Sequence, residues 1–164
     1  MIFAGELLGR AGVRAGLESG QSASYGSEAR GSACHAGVVL SSEQIGYPKV
    51  IKPDVVIAMS QSAYDKFAPT VKPGGRLFFD YHLVKHREID GVEQIGIPAT
   101  DLATQLGRRG VANVVMLTAA MRITGDVSMD ALKEALEEQS PQAFLDINMK
   151  AFEEGMTAAE MVKV

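Results

Sequence analysis

Residues 24–32 read SYGSEARGS, the densest concentration of specific side chains in the chain. A tyrosine, a carboxylate, a guanidinium, three serines and two glycines fall in one polar stretch between two apolar runs. Glu28 and Arg30 can pair with each other or with charged groups on a ligand, and Tyr25 can stack or donate a hydrogen bond. Gly26 and Gly31 let a backbone approach closely. Together with Ser24 these residues form a candidate recognition loop, since loops held by a rigid scaffold commonly carry binding groups. The same composition suits a solvated hairpin turn with a weak surface ion pair. Composition leaves the two readings even.

The other reactive side chains are less concentrated. Cys34 and His35 are neighbours in a strand-like run, where successive side chains point to opposite faces, so they do not form a thiolate–imidazolium pair. A buried thiol and a structural or edge histidine are expected. His82 and His86 have the i, i+4 spacing of helical metal ligands, but they follow a strand and lack an HExxH context, which favours a polar connection. A single cysteine builds neither a disulfide framework nor a cluster site. Asp80 and Asp101 lie near predicted strand ends, where α/β clefts form, although acidic caps are common there too. Residues 72–77 (KPGGRL) resemble a turn found late in methyltransferase sheets. A glycine-rich loop after the first strand is missing, as are GxGxxG and a P-loop, so a helix-stop turn is the better reading. Gly5, Gly9 and Gly12 fall inside the first helix and make no phosphate cradle. Spacing supports neither a Ser-His-Asp set nor a catalytic carboxylate pair.

The elements that must position these groups follow from periodicity. Phe3, Ala4, Leu7, Leu8 and Ala11 give helical spacing over 3–13, with no capping residue ahead. Strands are expected at 17–23 and 33–40, flanking the polar loop. Residues 44–53 carry the breakers Gly46, Pro48 and Pro53. The apolar run 54–59 suits a strand buried on both faces. Ser60 caps a helix over 61–71. Strands at 76–81 and 92–97 bracket a polar connection, and a helix follows over 99–106. Residues 113–123 form a strongly apolar helix ended by Gly125. Ser128 caps the next, with Asp130 in its first turn. The last helix is expected over 142–154, with fraying beyond. Strands alternate with helices, so the class is α/β with a mostly parallel sheet and an early antiparallel hairpin.

A chain of 164 residues, 46% hydrophobic and 22% charged, favours one ordinary globular domain over 1–164. The net charge of −4 argues against general nucleic-acid binding. No apolar run is long enough to span a bilayer as a helix, and Glu6 and Arg10 interrupt the N-terminal apolar residues, so a cytoplasmic protein is expected. Eight methionines and no tryptophan suit an adaptable core.

Residues 24–31 resemble the SYGPEARGG signature of the gamma subunits of 2-oxoacid:ferredoxin oxidoreductases. The likeness continues in order through 45–48 (IGYP), 53–61 (PDVVIAMSQ), 72–75 (KPGG), 97–100 (IPAT), 112–117 (ANVVML) and Ile147-Asn148, nearly the whole chain. Residues 47–50 (YPKV) lean to the 2-oxoglutarate branch. The resemblance implies a Rossmann-like, three-layer gamma module in an assembly that decarboxylates a 2-oxoacid, captures the acyl group on coenzyme A and reduces ferredoxin. It also implies that thiamine diphosphate and iron–sulfur clusters sit on alpha, beta and delta partners and that this chain carries no catalytic residue. Ser24, Tyr25, Gly26, Glu28, Arg30 and Gly31 then become a contact loop. Ser27 replaces a usual proline and Ser32 a usual glycine, both small enough to keep the turn. The strand and GxGGQG loop that family members carry ahead of the first helix are not found here, so the chain is expected to start late. A sheet lacking that strand is expected to self-associate through exposed apolar surface and a free edge. The alternative is a free-standing nucleotide-dependent enzyme such as a methyltransferase.

Overall fold

The computed structural model describes residues 1–24 and 34–162. It opens with helix α1 (Ile2–Arg14), which bears no side-chain cap. Strands β1 (Glu18–Ser24) and β2 (His35–Ser41) follow as an antiparallel hairpin, in register from Glu18 opposite Ser41 to Ser24 opposite His35. The hairpin forms its own two-stranded sheet.

The two faces of the hairpin are covered differently. Ser19, Gln21, Ala36 and Leu40 meet α1 at the side where Gly5, Gly9 and Gly12 lie. A methyl group on Gly5 would fall 2.6 Å from the Ala36 Cβ, and one on Gly9 would overlap the Gln21 amide. Only a helix side without side chains lets the hairpin lie this close. On the opposite face, Gly20 and Gly37 admit Ile45, Pro48 and Val50. Residues 44–50 therefore form a strap across the outside of the hairpin.

The second sheet is parallel, in the order β3 (Val55–Ala58), β4 (Arg76–Asp80), β5 (Glu93–Ile97). Its strands are apolar on both faces because both faces are covered. Leu77 and Phe79 join one apolar cluster with Tyr64, Ala68 and Val84. Phe78, Ile95 and Ile97 join the larger cluster on the other side. This strict alternation makes a three-layer α/β arrangement, as the family resemblance implies.

Helix α2 (Gln61–Phe67) covers the smaller cluster. Its cap is as predicted, the Ser60 Oγ accepting from the Ala63 N–H at 3.3 Å. The helix is shorter than the expected 61–71 and passes into a 3-10 turn at Ala68–Thr70. Pro69 causes this, since it has no N–H to donate and its ring crowds the preceding turn.

Helices α3 (Ala99–Gln105), α4 (Ala112–Thr124), α5 (Met129–Gln139) and α6 (Leu145–Val162) build the larger layer with α1. In α4 every residue from Val114 to Met121 is buried, and Gly125 closes the helix at φ 76°. Ser128 caps α5 through the Ala131 N–H at 3.2 Å. The last helix corrects the expected 142–154. A 3-10 turn at Gln142–Phe144 precedes α6, which continues to Val162. Gly155 is not a stop. It is where α6 crosses α4, 2.6 Å from the Val115 carbonyl oxygen to the position its Cβ would take. Beyond it Ala158 and Ala159 remain buried, and this burial holds the extra turns.

Candidate functional site

The strands that flank the polar segment in sequence, β1 and β2, pair with each other. Ser24 ends β1 opposite His35 and is exposed. Tyr25, Gly26, Glu28, Arg30 and Gly31, with Ser27 and Ser32, lie outside the described residues. Beside Ser24 the His35 ring packs on the Phe67 ring at 5.1 Å, and the Lys66 Nζ lies over the Phe67 ring at 5.0 Å. This contact ties the start of β2 to α2. Cys34 corrects the expectation of a buried thiol. It precedes the first residue of β2 and is exposed.

The groups at the carboxyl ends of β4 and β5 are used locally. Asp80 is fully buried. Its Oδ2 accepts the Thr100 N–H at 2.9 Å, while its Oδ1 has no partner. The carboxylate thus fastens the end of β4 to the first turn of α3, where negative charge is favoured. Asp80→Ala is expected to cost about 1–2 kcal/mol in urea unfolding, the usual loss for an acidic cap. Asp80→Asn, which keeps the acceptor, should cost less than half as much. Equal losses would show that the cap contributes nothing.

Asp101 pairs instead with His82, Nε2 to Oδ2 at 3.0 Å, both half exposed. His86 does not join them. Its ring stacks on Phe79 at 4.8 Å. Among the described residues no group of three or more His, Cys, Asp or Glu is placed to hold a metal ion.

The crossover from β4 to β5 is a polar connection with one buried centre that periodicity did not single out. Parallel neighbours are usually joined by a helix; here residues 81–92 are irregular. Tyr64, fully buried on α2, organises them. Its hydroxyl donates to Gln94 Oε1 at 2.7 Å and accepts from the Arg87 N–H at 3.0 Å. Gln94 Nε2 donates to the Arg87 carbonyl at 2.7 Å, and the Gln61 Oε1 accepts from the Lys85 N–H at 2.8 Å. The turn at 72–75 is likewise structural. Gly74, at φ 81°, donates to the Gly91 carbonyl, and Lys72 pairs with Asp54 at 2.8 Å.

An open cleft of about 470 Å³ lies between α1, β1 and the end of α5, lined by Arg10, Arg14, Ser19, Gln21 and Glu138 among others. Arg14 reaches Glu138 at 2.7 Å and Glu134 at 3.0 Å. The hydrogen bond and charge of Arg14 hold the Glu138 carboxyl below its ordinary range. These contacts clasp α1 to α5 and leave the guanidinium engaged.

No helix among the described residues is long and apolar enough to cross a membrane. The described residues form a scaffold without an assembled reactive centre among them.

Known proteins share this arrangement. The model of the pyruvate ferredoxin/flavodoxin oxidoreductase family matches residues 1–158. The 2-oxoglutarate synthase subunit KorC of Methanocaldococcus jannaschii is 41% identical over 165 residues, covering 98% of this chain and 88% of its own. The gamma subunit of a keto/oxoacid ferredoxin oxidoreductase from Geobacter sulfurreducens superposes with a TM-score of 0.83 at 32% identity, over 98% of this chain and 91% of its own. The 2-oxoglutarate:ferredoxin oxidoreductase of Magnetococcus marinus, solved with 2-oxoglutarate, coenzyme A and succinyl-CoA bound, gives 0.85 at 27% identity. That match covers 99% of this chain and 29% of the larger one. Nothing in these relatives supports a free-standing methyltransferase. With the family model spanning almost every residue, the chain belongs to the pyruvate ferredoxin/flavodoxin oxidoreductase family, and its relatives are subunits of 2-oxoacid oxidoreductases.

Proposed function

We propose that residues 1–164 form one gamma-type module of a cytoplasmic 2-oxoacid:ferredoxin oxidoreductase, with 2-oxoglutarate as the substrate of the assembly. The observation that carries this reading is the 41% identity to a 2-oxoglutarate synthase subunit across almost the whole chain. The oxidative decarboxylation belongs to alpha, beta and delta partners, which hold the thiamine diphosphate and iron–sulfur clusters and pass electrons to ferredoxin. A single cysteine is too few to hold an iron–sulfur cluster by itself, which suits that division. In isolation the chain self-associates. Among the described residues β3 pairs only with β4, and a free strand edge is a template for another chain.

Co-expression with the thiamine-binding and cluster-bearing chains tests the reading. The expected product is a complex that reduces a dye with 2-oxoglutarate and coenzyme A, faster than with pyruvate. Failure of the wild-type chain to co-purify would refute it. Within that complex Ser24, Tyr25, Gly26, Glu28, Arg30 and Gly31 act as a contact loop. Tyr25→Ala combined with Arg30→Ala is expected to weaken assembly by about tenfold or more, as loss of tyrosine and arginine anchors does at interfaces. Unchanged assembly and activity would return the loop to a plain turn.

A further inference from the structure

The hairpin sits on the rest of the chain without a directional tie. β1 and β2 pair with each other through their full register and form their own sheet, apart from the parallel one. Among the described residues neither strand shares a hydrogen bond or ion pair with a helix, with the parallel sheet or with the 44–50 strap. No residue of either strand is fully buried.

Contact alone holds the hairpin down. Gly5 and Gly12 of α1 receive Ala36 and Leu40, and the Gln21 amide lies over Gly9. Leu40 also packs against the larger apolar cluster, and His35 meets Phe67 at the far end. Ser19 works against docking. Its Oγ is buried beside Gly9 with no partner among the described residues, and water would satisfy it once the strands lift. A segment with few buried apolar contacts opens at a fraction of the global unfolding free energy. A two-stranded hairpin off its support is marginal at best, so the lifted strands lose their pairing together.

Helix α1 has no reason to follow. Ala4, Leu7 and Ala11 hold its other side in the larger cluster, and Arg14 clasps it to α5. We infer that the β1–β2 hairpin is a detachable flap, which leaves α1 as one unit while the α/β body stays folded. Opening bares the glycine side of α1 and joins it to the cleft between α1, β1 and α5. The flap is therefore a conformational control: a ligand that binds the closed hairpin shuts it, and one that binds the bared side of α1 holds it open.

Hydrogen exchange of the 164-residue chain reads the flap directly. The hydrogen-bonded amides of β1 and β2 should be at least about a hundredfold less protected than those of β4, at a ratio unchanged on dilution because the opening is local. Gly5→Ala supplies a wedge. The three atoms nearest its Cβ all belong to β2, the first being the Ala36 Cβ at 2.6 Å. The variant should weaken β1–β2 protection by about tenfold or more, the scale of an overpacked contact. Protection in β3, β4, β5 and α4 should hold or rise slightly, since alanine suits a helix interior better than glycine. Adding Ala36→Gly removes the clashing atom and should return most of the lost hairpin protection. Equal protection of the hairpin and β4 in the wild-type chain overturns the inference. A Gly5→Ala chain in which β4 and α4 lose protection along with the hairpin also overturns it, because the hairpin is then part of one cooperative unit.

Discussion

Gly155→Val should unfold or nearly unfold the domain, with a loss of about 3 kcal/mol or more, at the upper end of what overpacking costs. The reason lies in what the new Cβ would meet. It would stand 2.6 Å from the Val115 carbonyl oxygen and 2.7 Å from the Thr118 Cβ. Neither is the far end of a flexible side chain, so α4 and α6 must move apart. Both helices are anchored in the larger apolar cluster, α4 through an unbroken buried run from Val114 to Met121, and separation would open that cluster. Gly155→Ala sets a sharper test because two effects oppose each other. Alanine should gain about 0.5–1 kcal/mol over glycine from backbone entropy inside a helix. The clash should cost about 1–3 kcal/mol. A net loss is expected, read as a lower urea midpoint at constant slope. A stabilised Gly155→Ala chain would show that the helices are not in close contact there.

The second large effect is expected at Tyr64. Tyr64→Ala should cost about 3–5 kcal/mol, as truncating a buried aromatic does. Tyr64→Phe keeps the ring, which meets Phe79 edge-on at 6.2 Å, and removes only the hydroxyl. That leaves the Arg87 N–H and Gln94 Oε1 without their partner and should cost about 1–3 kcal/mol. The loss should be local first. Hydrogen exchange at the Arg87 amide and through residues 85–92 should accelerate in Tyr64→Phe, while β3 and β4 stay protected. A Tyr64→Phe chain with wild-type stability and a protected Arg87 amide would remove Tyr64 as the organiser of the crossover.

The sequence makes the alternating strands and helices legible because each carries its own local signal. The run 54–59 announces a strand covered on both faces, Ser60 and Ser128 announce helix starts, and Gly125 announces an end. The misses come from information that is not local. A helix pattern scores apolar residues, so Gly5, Gly9 and Gly12 look like interruptions until the hairpin that needs them is in place. The helix expected to end at 154 runs on through Gly155, a crossing point whose partner oxygen belongs to Val115 forty residues away. Tyr64 looks like one more apolar position of α2. Its hydroxyl matters only once the crossover folds back over it. Cys34 falls just outside the strand expected over 33–40, because that strand begins at His35. The 24–31 loop was legible only as a motif, and Ser24 alone of its named residues lies among those described.

The clasp between α1 and α5 bears on how the chain is made. Arg14 and Glu134, joined at 3.0 Å, are 120 residues apart in sequence. At roughly 5–20 residues per second of synthesis, α1 has left the ribosome some 6 to 24 s before its partner helix exists. The hairpin can cover one side of α1 at once, since it follows it directly. Leu7 and Ala11 have no such early cover, because they belong to the cluster completed by α4, α5 and α6. The nascent chain therefore carries an apolar stripe in waiting. The time it stays open sets the interval in which a chaperone or a second nascent chain can claim it.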